Sequence, residues 1–173
     1  MPQIDDGAIR TVQPNAAKLK IRAASEGDFT FIVSLLKRAG LPKDGLQDTR
    51  LYVLENGGRI VGLIGFEAYG DAVLLRSLVV EPTWRGEGYG TALLQHAIAE
   101  AHRSGACVVY GLTLTIADWL ERLGFEEVSK SSIPSPILSS AEFQGACPAS
   151  ARLFRRVLAS RSLPKVSREQ EAR

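Results

Sequence analysis

The sequence predicts an α+β fold: one central sheet, mixed but mostly antiparallel, with helices on both faces. Three observations predict it. Leu51 to Glu55 and Arg59 to Glu67 are strand-like runs joined across Asn56-Gly57-Gly58, which makes a hairpin. Val73 to Val80 is a β-branched and leucine-rich run with the look of a buried strand. It feeds a glycine-rich turn, an amphipathic helix and a further strand, so a parallel continuation follows the antiparallel meander.

Taken in order, residues 1–18 lack periodicity and form a loose extension, and order begins at the short alternating strand Leu19-Lys20-Ile21-Arg22. Ser25 and Asp28 form a capping pair before the helical face Phe29, Ile32, Val33 and Leu36, which stops near Gly40-Leu41-Pro42. Residues 43–50 are polar loop before the hairpin, and Tyr69-Gly70-Asp71 turns the chain into the strand ending at Val80. Tyr89, Leu93, Ala97 and Ala101 then recur every four residues, a helix stopped by Gly105. Ala106 to Thr113 is a strand, Ile116 to Leu123 a short helix ended by Gly124, and Phe125 to Val128 a strand. Ser129 to Gly145 is loop with one helical turn at Ser139 to Phe143, and Pro148 opens a helix through Leu158. One domain spans 19–159, followed by a polar tail over 160–173.

A net charge of +2 with 23% charged residues provides no strong field of either sign, which argues against a nucleic-acid surface. Cys107 and Cys147 fit neither a disulfide framework nor a zinc pattern, and no apolar stretch is long enough for a membrane span or leader; a reduced, cytoplasmic setting is expected. His96 and His102 lie on the central helix with no companion ligands, so no metal is expected. Arg152, Arg155, Arg156 and Arg161 are read as a solvated helix face.

The chemistry concentrates in "VEPTWRGEGYGTALL", residues 80–94. Glycine lets the main chain approach a ligand closely, and the first helical turn presents unpaired N–H groups at the positive end of the dipole. Such a place binds phosphate. The spacing is neither the G-x-G-x-x-G of dinucleotide folds nor a nucleotide-triphosphate loop. The string Leu78-x-Val80-x-Pro82-x-x-Arg85-Gly86-x-Gly88-x-Gly90 resembles the acetyl-CoA signature of the GNAT acyltransferase superfamily. "YGLTLTIADWLERLGFEEV" is similar to the acetyltransferase domain of N-acetylglutamate synthases. "LLRSLVVEP" and "CPASARLFRR" are similar to arsenic-resistance-linked GNAT proteins.

The resemblance implies the GNAT fold, acetyl-CoA as co-substrate, and transfer of an acetyl group to the amine of a small amino-acid-like molecule, in arsenic or xenobiotic resistance. It also implies that Arg85, Gly86, Glu87, Gly88, Tyr89, Gly90 and Thr91 hold the pyrophosphate while Leu78, Val79 and Val80 pair with the pantetheine arm. Thr113 stands where many GNAT chains carry an asparagine that bonds this arm; the other reading is a satisfied strand-end threonine. Leu120 stands where many carry a proton-donating tyrosine, which leaves Tyr110 as a substitute donor or a packed strand aromatic. A coenzyme-A-binding domain without catalysis, or a protein N-acetyltransferase, is the alternative function. No nucleic-acid or membrane partner is implied, and there is room for a homodimer.

Glu67, ending its strand beside an apolar run, is either a base for the amine or a strand-end charge facing solvent. Arg76, a cation inside "VLLRSLVV", must face an anion. The expectation is a clamp for a substrate carboxylate, with an internal ion pair to Glu67 as the alternative. Cys147 is read as a residue at a helix start, and as a poor arsenic ligand by itself.

Overall fold

The computed structural model describes residues 19–158. The expected extension over 1–18, the tail over 160–173 and Arg161 lie outside the described residues. Seven strands form one sheet in the order β1-β2-β3-β4-β5-β7-β6. They are β1 (Leu19–Ala23), β2 (Arg50–Asn56), β3 (Arg59–Tyr69), β4 (Ala72–Val80), β5 (Val108–Thr113), β6 (Glu126–Val128) and β7 (Arg152–Val157). The helices are α1 (Phe29–Arg38), α2 (Tyr89–Arg103) and α3 (Ala117–Arg122).

Apolar alternation decides which helix goes where. Leu93, Leu94, Ala97 and Ala101 of α2 pack with Ile64, Phe66, Val73, Leu75 and Val109 on one face, joined by Ala117 and Leu120 of α3. On the other face Ile32, Leu35 and Leu36 of α1 meet Val53, Leu63 and Val79. A third cluster gathers Ala72, Leu74, Tyr110 and Leu153 beneath Ile133 and Ile137 of the serine- and proline-rich segment. Ahead of α1, Asp28 accepts from the Ser25 N–H at 2.7 Å, the capping pair read from the sequence. Arg22 bonds the same carboxylate and holds Asp28 well below the usual carboxylate range, with the Ser25 N–H assisting.

The helix expected from Pro148 through Leu158 is not formed. A tight turn closes on Pro148 through the Ala151 N–H at 3.0 Å, and β7 follows, paired with β5 on one edge and β6 on the other. Leu153 and Phe154 are adjacent and both buried, because a strand inside the sheet has two covered faces. The arginines read as a solvated helix face serve the strand. Arg155 pairs with Glu126 opposite it, Arg152 with Glu127, and Arg156 donates to the Leu123 carbonyl. Cross-strand charge matching between "EEV" and "RLFRR" was the available sequence signal.

Two irregularities in β4 shape the site. Leu63 faces Val79 and Gly65 faces Arg76, so Ser77 and Leu78 together oppose Ile64 in a β-bulge. Ser77 takes φ 61°, the one positive φ outside glycine among the described residues. The parallel pairing of β4 with β5 runs from Ala72↔Val108 to Leu75↔Gly111 and stops there. Beyond Leu75 the two strands splay, which leaves the second half of β4 without a β5 partner.

Candidate active site

The splay opens into a cleft of about 700 Å³ lined by Leu78, Val79 and Val80 of β4, by Trp84 through Gly86, and by Gly88 through Thr91 at the start of α2. Thr115, Ile116 and Trp119 close its far side, and Ala39 and Leu41 its end. Of the eleven sequence-predicted cofactor residues, only Glu87 and Thr113 do not line it. Glu87 is exposed. Thr113 Oγ1 accepts from the N–H groups of Thr115 and Ile116, each at 3.1 Å, the geometry of the strand-end reading, and so shapes the β5–α3 turn.

The turn presents unpaired donors and open space. Gly88 stands at the N-cap of α2 with φ 82°, and no side chain caps the helix. The Ala92 N–H reaches the Gly88 carbonyl at 3.0 Å, so the amides of Tyr89, Gly90 and Thr91 have no partner within the helix. Nothing lies within 4 Å of a Cβ built at Gly86 or Gly88. Arg85 donates through Nε to the Val80 carbonyl at 2.9 Å, which ties the guanidinium to the end of β4. Glu81, just before this turn, is buried and binds Arg38 of α1 and Arg59 of β3 at 3.1 and 2.8 Å. Free amides, an arginine and open space at the glycines fit a pyrophosphate.

The charged residues of the sheet centre form a second group. Glu67 and Arg76 lie diagonally on β3 and β4, with Arg76 Nη1 donating to Glu67 Oε1 at 2.5 Å. Arg76 Nη2 donates to the Asp44 carbonyl at 2.6 Å and meets Glu142 at 3.3 Å. The Arg76 side chain is 0% exposed, and Glu67 and Glu142 are 4% and 7%. The carboxylate clamp expected of Arg76 is therefore corrected. Desolvation forces a buried cation onto buried anions, and the internal ion pair holds it out of reach of solvent. Gly45 permits the close approach: at φ 77°, a Cβ there would lie 2.9 Å from Arg76 Nη1 and 3.1 Å from the Ala141 Cβ.

Glu67 is not the solvent-facing strand-end charge either. Its Oε2 accepts from the Tyr69 hydroxyl at 2.5 Å, and both residues line a second cleft of about 490 Å³. Burial, then the bond to Glu67, pushes the Tyr69 phenol up to about 12. Tyr69 was missed by sequence reasoning; the signal was its place two residues from Glu67, on the same strand face. Tyr110 is a correction. It is buried among Leu74, Ile133, Ile137 and Leu153 and lines neither cleft. Leu120 packs in the core. Cys147 donates to Glu142 at 2.5 Å, and burial first, then that bond, pushes its thiol up to about 12. His96 stands edge-on to Tyr52 with 4.9 Å between ring centres. Among the described residues, no group of three or more His, Cys, Asp or Glu side chains is placed to hold a metal ion, and no helix is long and apolar enough to cross a membrane.

Residues 47–127 match the family model of the acetyltransferase (GNAT) domain. The chain is similar to N-acetylglutamate synthase from Neisseria gonorrhoeae, solved with coenzyme A and N-acetyl-glutamate, at 23% identity and a TM-score of 0.70 over 82% of this chain and 35% of that one. It thus spans about a third of that protein's length. Rv2747 from Mycobacterium tuberculosis, in complex with CoA and NLQ, is 19% identical with a TM-score of 0.68, covering 81% and 99% of the two chains. The ribosomal-protein-S18-alanine N-acetyltransferase from Escherichia coli is 18% identical with a TM-score of 0.62, covering 84% and 98%. A seven-stranded mixed sheet that splays between β4 and β5 gives the chain the GNAT fold, and the residues that match the acetyltransferase (GNAT) domain model, 47–127, take in the whole glycine turn.

Proposed function

We propose that the protein is an acetyl-CoA-dependent N-acetyltransferase acting on a small, amino-acid-like amine in a reduced, cytoplasmic setting. The observation that carries this reading is the first cleft, where uncapped α2 amides, Arg85 and the open space at Gly86 and Gly88 adjoin the half of β4 whose β5-facing edge is unpaired. In this reading Arg85 and the amides from Gly86 to Thr91 hold the pyrophosphate, and the free edge of β4 at Leu78, Val79 and Val80 pairs with the pantetheine arm. Bound there, acetyl-CoA supplies an activated thioester. Glu67 serves as acceptor of the amine proton, through the Tyr69 hydroxyl or a water, since both its oxygens are already bonded. A thiol of pKa ~8.5 is a fair leaving group near neutrality, so no side chain need protonate it.

A second reading, coenzyme-A binding without turnover, is favoured by Leu120 in the core at the usual tyrosine position. A role in arsenic or xenobiotic resistance rests on resemblance alone; Cys147 adds a single thiol, already bonded to Glu142. Thiol release from acetyl-CoA with a panel of amines, beside a calorimetric titration of acetyl-CoA, tests the reading. Binding with amine-dependent release supports it, binding without release favours the second reading, and no binding overturns both.

A further inference from the structure

Arg76 answers to two carboxylates that reach it from different parts of the chain. Its Nη1 donates to Glu67 Oε1 at 2.5 Å, and its Nη2 lies 3.3 Å from Glu142 Oε1. The Asp44 carbonyl, 2.6 Å from Nη2, is a neutral partner. Two carboxylates and one guanidinium, all buried, leave one negative charge in excess.

Glu67 lines the second cleft, whereas Glu142 lines neither. The chain bends to keep Glu142 behind Arg76. Gly145, at φ 110°, turns Cys147 back so that its N–H reaches the Glu142 carbonyl at 3.2 Å and its Sγ donates to Glu142 Oε2 at 2.5 Å. The other titratable groups facing the cluster are the Tyr69 phenol on Glu67 Oε2, the Cys147 thiol, the Asp44 and Asp48 carboxylates, and Lys130, which bonds the Ala149 carbonyl at 2.6 Å. Burial first, then a bond to a carboxylate, pushes phenol and thiol each up to about 12, so both stay neutral near neutral pH. Asp44, Asp48 and Lys130 are exposed, and solvent screens them.

This charge count decides what a proton on Glu67 does. Beside Arg76 alone, a protonated Glu67 strands a guanidinium in the interior, which is costly. With Glu142 on its other side the cation keeps an anion, and the cluster becomes neutral. Resting on the proton-acceptor role given to Glu67 above, we propose that Glu142 is a positioning residue: by holding the other side of Arg76, it lets Glu67 take up a proton without leaving the guanidinium unpaired. The proton arrives from the second cleft at Oε2, where the Tyr69 hydroxyl turns from donor to acceptor, while Oε1 stays on Arg76. It returns to solvent by the same face.

The test follows Glu67 directly. In protein labelled with carbon-13 at the glutamate carboxyls, the resonance missing from Glu67→Gln reports this residue without turnover. Glu142→Gln removes the second anion and leaves Glu67 and Arg76 as a neutral pair. The protonation transition of Glu67 is then expected about one pH unit lower than in the wild type, and the acid limb of kcat/KM with it. Cys147→Ala takes the donor from Glu142 and turns more of its charge towards Arg76, which moves the transition the other way by roughly a few tenths of a unit. A transition that stays in place or rises in the folded Glu142→Gln protein overturns the proposal. If that variant does not fold, Cys147→Ala decides, and a transition that it leaves alone or lowers is the overturning result. A transition that moves as expected while Glu67→Gln keeps the wild-type rate upholds the proposal and removes Glu67 as the proton acceptor of the reaction.

Discussion

Arg76 Nη1 lies 2.5 Å from Glu67 Oε1 across the β3–β4 ladder, in a pair with no more than 4% of either side chain exposed. Glu142 on the far side of the guanidinium makes it a triad. Removing the cation leaves two carboxylates buried without compensation, and breaking such an arrangement costs about 3–5 kcal/mol. Arg76→Met is expected to lower stability by that amount in urea denaturation. Adding Glu67→Gln and Glu142→Gln should recover most of the loss, because no isolated buried charge then remains. A stable Arg76→Met single variant would show the triad to be unimportant to the fold.

The glycine turn makes a different prediction, because its residues are exposed and stabilise little. Arg85→Ala removes a charge-assisted contact worth about 1.5–3 kcal/mol to a bound pyrophosphate. Gly88→Val places a β-branched residue at φ 82°, where side chains are disfavoured, and crowds the amides of α2. Both variants are expected to keep the wild-type circular dichroism and to bind acetyl-CoA at least tenfold more weakly by calorimetry. Unchanged affinity in both folded variants would remove this cleft as the coenzyme site.

How much of this was legible beforehand depended on whether a residue's role was local. The strand, glycine turn and helix from Val73 to Arg103 were readable because periodicity, turn chemistry and helix start all lie within one short stretch. Strand β7 was not, since Arg152 to Val157 becomes a strand through two partners far along the chain, and its adjacent Leu153 and Phe154 carry no alternation. Arg76 was legible as a residue needing an anion, but not which one. Glu142 and the Asp44 carbonyl arrive from loops whose path no local pattern fixes. Tyr110 and Tyr69 exchange importance for the same reason: the segment carrying Ile133 and Ile137 covers one, and the second cleft exposes the other.

Ser77 combines two costs in one residue. Its φ of 61° is strained for a side-chain-bearing residue, and its Oγ is buried without a hydrogen-bond partner. Ser77→Gly relieves both and loses only the smaller stabilisation that a side chain gives by restricting the unfolded chain, about 0.5–1 kcal/mol. A net gain of about 1 kcal/mol is expected in urea denaturation, whereas Ser77→Val should destabilise by more than that. Equal stability of all three proteins would mean that the bulge relaxes freely around this position.

Tyr69 links the buried charges to the second cleft, and its titration reports the link. Burial and the bond to Glu67 both favour the protonated phenol, which is pushed up to about 12. An acid raised in the folded state adds stability that is complete below its unfolded value of ~10 and is lost as pH climbs towards the folded one. Between those limits, ultraviolet titration of the folded protein should show tyrosinate absorbance that lags, and Tyr69→Phe should abolish part of the lag, the remainder belonging to Tyr52, which burial also raises. The same substitution removes the donor on Glu67 Oε2 while leaving the ion pair to Arg76 in place. Turnover should therefore drop about tenfold, with acetyl-CoA affinity unchanged, because the phenol sits in the second cleft and not in the first. An active Tyr69→Phe variant with an unaltered pH–rate profile would exclude the Tyr69–Glu67 relay and return Glu67 to a purely structural partner of Arg76.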